Sequence, residues 1–311
     1  MTRLSVAICT YNRADSLADT LEHCCRMKGL ERLSWELLVI DNNCNDHTPQ
    51  VVEMFRKRLP IRYLTESNQG LSHARNRALH EATGDLLVFT DDDVRPCRNW
   101  LASYATANRT HSRAEYFGAP IFPWWPSGQP SWARDVNMPV LAGLFGCYDL
   151  GPQEQEYSTA EMHPYGANFA LRRSLFERLK PFRTDLGVVG AVPGRGEEAE
   201  YFHRARAEGA SGVYLPTAVV EHRVDARRLT IPYLYRYGVQ KGIASRLMQR
   251  DRTGATPRFS ALPEAAYAIK ALFQFAKGRG DRARQCIINM GLQRGFSQGG
   301  ARKGEPGWSD I

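Results

Sequence analysis

Long hydrophobic runs, paired cysteines, repeats and low-complexity tracts are all missing from this 311-residue chain, and each absence excludes something. No apolar run approaches the roughly 18 residues that a membrane-spanning helix needs, so none is expected. The opening MTRLSVAICTYNR reaches a first strand within a few residues and leaves no room for a signal peptide, an expectation of cytoplasmic residence. Cysteine occurs at Cys9, Cys24, Cys25, Cys44, Cys97, Cys147 and Cys286, never as a CxxC pair. That scatter argues for reduced thiols rather than a disulfide framework or a zinc site. What is present is ordinary for a globular chain, with 43% hydrophobic and 24% charged residues. The formal charge of +8 suits phosphorylated small molecules, an anionic membrane surface or nucleic acid. The basic residues are spread out and no nucleic-acid reader motif accompanies them, so no nucleic-acid partner is expected.

Over the first hundred residues two periods alternate. Leu4–Cys9 reads as a short strand, followed by Leu17, Leu21, Cys24 and Met27 or Lys28 at helical spacing. Trp35–Ile40 is an apolar run broken only by Glu36, as in a strand buried on both faces. Thr48-Pro49 predicts an N-cap with proline at the first helical position, opening a helix through Arg58. Ile61–Thr65, Leu71–Ala82 and Asp85–Thr90 continue as strand, helix and strand. The alternation predicts an α/β fold, a doubly wound, mostly parallel sheet with helices on both faces. Ligands of such sheets lie beyond the carboxyl ends of the strands. That rule gathers CTYNR, the Asp41–Asn43 segment and Asp91–Asp93 into one crevice.

Asp91, Asp92 and Asp93 carry the most chemistry. A strand can bury Leu86, Leu87, Val88 and Phe89, but not three adjacent carboxylates without a compensating cation. A divalent metal is the economical cation, because Mg²⁺ and Mn²⁺ favour oxygen ligands and share them with substrate phosphates. A solvated acidic turn is the plainer alternative. Further on, Phe117 to Gly166 is broken by proline and tryptophan and reads as ordered irregular structure. YGANFALRRSLFERL reads as a strand entering a helix, and GRGEEAEYFHRARAEG as an acidic helix start. Val213–Val220 reads as one strand ending at Glu221-His222. In the basic C-terminal region, AAYAIKALFQFAKGRGDRAR predicts an amphipathic helix, read first as packed on the domain and second as lying on a membrane surface.

VAICTYNR, LLVIDNN, NQGLSHARNRALHEATGDLLVFTDDDV, GANFALRRSLF and GRGEEAEYFHRARAEG, in that order, resemble the family-2 glycosyltransferases, inverting enzymes of the GT-A fold. The resemblance implies a metal on Asp93 and Asp91, with His222 as a third ligand, and Asp92 facing the ribose. It implies a donor pocket lined by Thr10, Tyr11, Asp41 and Asn43, with Arg13 and Arg75 near base or phosphate. It further implies a nucleotide-sugar donor, UDP first, and Mn²⁺ or Mg²⁺. Glu198 is expected as the general base, with Glu197 as its acid partner, where the family usually has Glu-Asp. Residues 1–225 form the expected transferase domain, with 1–95 the nucleotide half and 96–225 the acceptor and catalytic half. Residues 226–311 form a basic, mostly helical extension. Expected acceptors are a saccharide, glycolipid or lipid-linked molecule, in polysaccharide or glycoconjugate biosynthesis, with peripheral contact to an anionic membrane at its cytosolic face. Two other readings rank behind. A sugar-phosphate nucleotidyltransferase normally has a glycine-rich loop where this chain has CTYNR. A non-catalytic nucleotide-sugar binding or assembly protein would fit the Glu-for-Asp change but leaves the preserved acid triplet unexplained.

Overall fold

The computed structural model describes residues 3–133, 143–159, 162–189, 196–253 and 263–298. Gly194 and Arg195, part of the acidic helix start read from the sequence, lie outside these. The first half is the alternation the sequence predicts: β1 (Arg3–Thr10), α1 (Ala14–Cys24), β2 (Ser34–Asp41), α2 (Thr48–Phe55), β3 (Ile61–Thr65), α3 (Leu71–Glu81) and β4 (Leu86–Asp91). Successive residues of β1, β2 and β4 serve opposite faces. Val6, Val39 and Val88 enter one core with α1, α2 and the later helix α4 (Trp100–Thr110). Ala7, Leu38 and Leu87 enter the other, with α3. Both faces are dry, so each fully buried large side chain contributes about 1.5–3 kcal/mol.

Helices α1 and α2 stop short of the expected Met27 or Lys28 and Arg58, because their last turns tighten. Met27 N–H bonds to Cys24 O and Arg58 N–H to Phe55 O, three residues back rather than four. The start of α2 also differs. Thr48 is its first helical residue, and Asp46 Oδ1 accepts from both the Thr48 N–H, at 3.1 Å, and the Thr48 hydroxyl, at 2.6 Å.

Downstream come β5 (Val94–Pro96), β6 (Tyr116–Gly118), β7 (Ile121–Trp124), β8 (Gln155–Glu156), β9 (Asn168–Arg172), α5 (Arg173–Arg178), α6 (Glu197–Ala207), β10 (Gly212–Tyr214) and β11 (Val220–Arg223). The main sheet runs β3-β2-β1-β4-β9-β6-β10-β8, parallel from β3 to β4, with β9 antiparallel to both neighbours. The expected single strand Val213–Val220 is two strands. Pro216 cannot donate to a ladder, and the Ala218 N–H turns back to Leu215 O. Strand β11 thereby leaves the main sheet and enters a second sheet of order β5-β11-β7.

The chain divides into two compact units. One comprises Met1–Trp124, Gly146–Thr184 and Glu197–Arg223; the other Trp125–Phe145, Asp185–Gly196 and Val224–Ile311. The second unit is helical, with α7 (Ile231–Thr253), α8 (Glu264–Ala276) and α9 (Gly280–Gln298). Its α7 and α9 meet backbone to backbone on glycines. A Cβ on Gly242 would fall 2.2 Å from Leu292 O, and one on Gly291 2.1 Å from Tyr235 O. No helix among the described residues is long and apolar enough to cross a membrane.

Candidate functional site

Strand β4 ends at Asp91, in register with Cys9 of β1, so the acid triplet begins where two parallel strands end. The triplet then turns into β5, and β11 lies antiparallel beside it, with His222 opposite Val94. Arg223 N–H donates to Asp93 O at 2.9 Å. That pairing delivers His222 Nε2 to 3.4 Å from Asp93 Oδ1. Asp91, Asp93 and His222 each offer a ligand atom, all within 4.8 Å of one another. Two carboxylate oxygens and an imidazole nitrogen suit Mn²⁺ or Mg²⁺ and leave positions for phosphate oxygens.

Part of the positive charge that compensates the triplet is internal to the chain. Arg13 Nη1 lies 2.9 Å from Asp92 Oδ1, and its Nη2 is hydrogen bonded to Asp93 Oδ2. Burial works against the guanidinium's charge, but Asp92 and Asp93 outweigh it and raise the Arg13 pKa. Asp92 is turned inward, and Thr10 Oγ1 donates to its Oδ2 at 2.8 Å. Burial pushes this middle acid up to about 7, against the pull of Arg13. Arg13 itself stays partly exposed, at the mouth of the group.

A second acidic group forms at the head of α6. Arg75, expected near base or phosphate, is buried on α3, 3% exposed. Its Nη1 donates to Glu197 Oε1 at 2.8 Å and its Nη2 to Gly166 O at 3.3 Å. The rings of Phe169 and Phe182 flank the guanidinium at 5.6 and 5.7 Å. Its neighbour Asn76 fixes this seat by exchanging two hydrogen bonds with the Phe182 backbone. Burial first, then the adjacent Glu198 carboxylate, push Glu197 up to about 7, while Arg75 pulls it down. Glu198 Oε2 is buried and has no hydrogen-bond partner among the described residues. Arg75 also lies within electrostatic reach of Asp91, so the two acidic groups share its field.

The remaining expected residues surround the end of β2. Tyr11 is half-buried just past β1. Asp41 Oδ1 accepts from Cys44 N–H at 2.7 Å, and Tyr63 donates its hydroxyl to Asp41 Oδ2. Asn43 adopts φ +66° and donates to Ser67 O at 2.6 Å. The anchor of this loop is its neighbour Asn42, which the sequence set inside the Asp41–Asn43 segment without a role of its own. Asn42 Nδ2 donates to Asn68 O at 2.7 Å, and Gly70 N–H donates back to Asn42 Oδ1 at 2.7 Å. Asn168 was missed too. It accepts from Trp100 Nε1 and the Tyr104 hydroxyl, each at 2.9 Å, and donates to Pro120 O and Ala218 O at 2.9 and 2.7 Å. Neither asparagine carries a local pattern that would have singled it out.

Residues 5–180 match the family model described as glycosyl transferase family 2. The succinoglycan biosynthesis protein ExoM of Rhizobium meliloti (strain 1021) is 28% identical over 246 residues, covering 77% of this chain and 72% of its own. Among solved structures, the mannosyltransferase PcManGT from Pyrobaculum calidifontis in complex with GDP-Man and Mn²⁺ superposes with a TM-score of 0.62. It is 19% identical, over 96% of this chain and 88% of its own. Glucosyl-3-phosphoglycerate synthase from Mycobacterium tuberculosis, in complex with Mn²⁺, UDP and phosphoglyceric acid, gives 0.52 at 18% identity. That match covers 84% of this chain and 81% of the synthase. At such identities the two structures establish the GT-A fold.

Proposed function

The chain belongs to glycosyl transferase family 2, and from that premise we propose that it is a metal-dependent, inverting hexosyltransferase using a UDP-sugar. The observation that carries this reading is the meeting of Asp91, Asp93 and His222 within 4.8 Å beyond the end of β4. These three residues would hold Mn²⁺ or Mg²⁺. Bound there, the cation would neutralise charge growing on the nucleoside diphosphate as its bond to the sugar breaks. Thr10, Tyr11, Asp41 and Asn43 line the base, and Arg13 with Asp92 faces the ribose and phosphates. Arg75 is reassigned from the phosphates to positioning, since its guanidinium is committed to Glu197 and Gly166.

Glu198 is the base. Its unpartnered Oε2 takes the proton of the acceptor hydroxyl as that oxygen attacks the anomeric carbon. The acceptor oxygen–carbon bond forms on the face opposite the leaving diphosphate, so configuration inverts in one displacement. Residues 1–95 serve the nucleotide, 96–225 the base and acceptor, and 226–311 extend the domain. The acceptor is a saccharide, glycolipid or lipid-linked molecule, reached at the cytosolic face of an anionic membrane. The similarity to a succinoglycan biosynthesis protein supports polysaccharide assembly as the setting.

Calorimetric titration with UDP, GDP and dTDP, each with and without Mn²⁺, tests the reading. UDP should bind, and only with the metal; Asp93→Ala should abolish that binding. Glu198→Gln should bind UDP normally yet lose about 10²–10⁴-fold in turnover. Wild-type turnover in Glu198→Gln would remove the base assignment. Folded protein that binds none of the three nucleotides would remove the donor site.

A further inference from the structure

Helix α8 wears its apolar arc on the outside. Ala265, Ile269, Leu272 and Ala276 recur three or four residues apart, on one face, and all are exposed. Phe273 and Phe275 widen that arc. Ile269 is 67% exposed, Leu272 71%, Phe273 55% and Phe275 42%, so this one helix holds four of the eight exposed large hydrophobic side chains among the described residues. The opposite face, where Ala271 is buried, packs with Ile287 and Ile288 of α9. A single exposed leucine needs no explanation, but a contiguous group of four on thirteen residues does.

The flank of the arc identifies what covers it. Lys270 and Lys277, both exposed, lie seven residues apart on one side, and Arg279 follows the helix end. Lys277 Nζ stands over the Phe273 ring, 4.2 Å from its centroid, so a positive charge borders the apolar arc. The helix has a single acidic residue, Glu264, which lies near Arg294 of α9 rather than on the exposed arc. A second copy of the chain would bring another basic rim against this one and no acidic complement. An anionic lipid interface supplies both needs, since headgroups pair the lysines and acyl chains accept the side chains of a helix lying in the surface plane.

We propose that the α8 face, centred on Ile269, Leu272 and Phe273 and rimmed by Lys270, Lys277 and Arg279, docks the protein on an anionic bilayer. The inference deepens the proposed reading of a glycolipid or lipid-linked acceptor, but its test is independent of transfer. Purified full-length protein is sedimented with phosphatidylcholine vesicles with and without phosphatidylglycerol. The protein should pellet with the anionic vesicles, less so as salt rises, and remain in the supernatant with phosphatidylcholine alone. Leu272→Ser with Phe273→Ser should cut partitioning at least about ten-fold. Both side chains are exposed, so the melting temperature and metal-dependent UDP binding should stay at wild-type values. Wild-type protein that ignores anionic vesicles, or a double variant that partitions normally, overturns the proposal. So does vesicle-free self-association that the same substitutions abolish, which would assign the face to a second copy. Loss of UDP binding in wild-type protein would instead sink the transferase reading and leave the docking face standing.

Discussion

Burial and the neighbouring Glu198 carboxylate raise the Glu197 carboxyl, and Arg75 opposes them. Two adjacent carboxylates sharing a buried site resist ionising together. Glu197, the more buried of the two, is pushed up to about 7 from an ordinary 4.5. Near neutrality it therefore keeps a proton for much of the time. The consequence for stability has a definite sign. A carboxyl raised in the fold contributes stability that is complete below about 4.5 and lost as pH rises through about 7. Glu197→Gln stays neutral throughout, so its melting temperature should gain on wild type as pH is raised across that window. A constant difference would show that Glu197 is already ionised. Arg75→Lys keeps the charge but loses the planar fork. It should lower kcat by roughly ten-fold or more while leaving metal-dependent UDP affinity within about three-fold. An equal loss of UDP affinity would return Arg75 to the donor site. The triplet stood out in the sequence because three adjacent carboxylates at a strand end are a local pattern, whereas His222 entered only through the family resemblance. The pairing of Arg13 with Asp93 was not legible, at 80 residues of separation, nor was that of Arg75 with Glu197 at 122. Pairings at such range depend on strand order, which no local pattern encodes.

Whole elements are where periodicity speaks most plainly and where it also stops. The largely apolar run Trp35–Ile40 marks β2 as a strand buried on both faces, and β2 lies so, with β1 and β4 beside it. The break between β10 and β11 turns on Pro216, which the apolar pattern of Val213–Val220 overran. That break matters because it frees β11 to carry His222 beside Asp93. Asn168, at the start of β9, secures the arrangement by holding Pro120 O and Ala218 O, carbonyls that closely precede β7 and β11. Asn168→Ala would orphan the Ala218 carbonyl together with the Trp100 and Tyr104 donors, while Pro120 O keeps the Val220 N–H at 3.2 Å. A cost of about 3–5 kcal/mol is expected in denaturant unfolding, since each orphaned buried group costs about 1–3 kcal/mol and such losses are not additive. Mn²⁺ affinity should weaken alongside, because the second sheet sets the distance between His222 and Asp93. A variant with wild-type stability would show that the network is dispensable.

On the scale of the molecule, each compact unit has its own core, and the proposed metal and base residues all belong to the first. The amphipathic pattern of α8 was legible, but the direction its apolar arc faces was not, because periodicity fixes which residues share a face and leaves open what that face meets. The second unit depends instead on glycine. Gly238 and Gly242 of α7 lie against the α9 backbone, and Gly291 and Gly295 of α9 against that of α7. A methyl group on Gly242 would fall 2.2 Å from the Leu292 carbonyl oxygen, which no side-chain rotation can relieve. Gly242→Ala should therefore force the helices apart and cost about 1–3 kcal/mol, the usual range for overpacking. If the units are stabilised by separate cores, calorimetry should show a transition moved to lower temperature while a second stays in place. Metal-dependent UDP affinity, measured below both transitions, should not change. A single transition that shifts as a whole, with UDP affinity falling beside it, would mean that the nucleotide site draws its stability from the α7–α9 crossing.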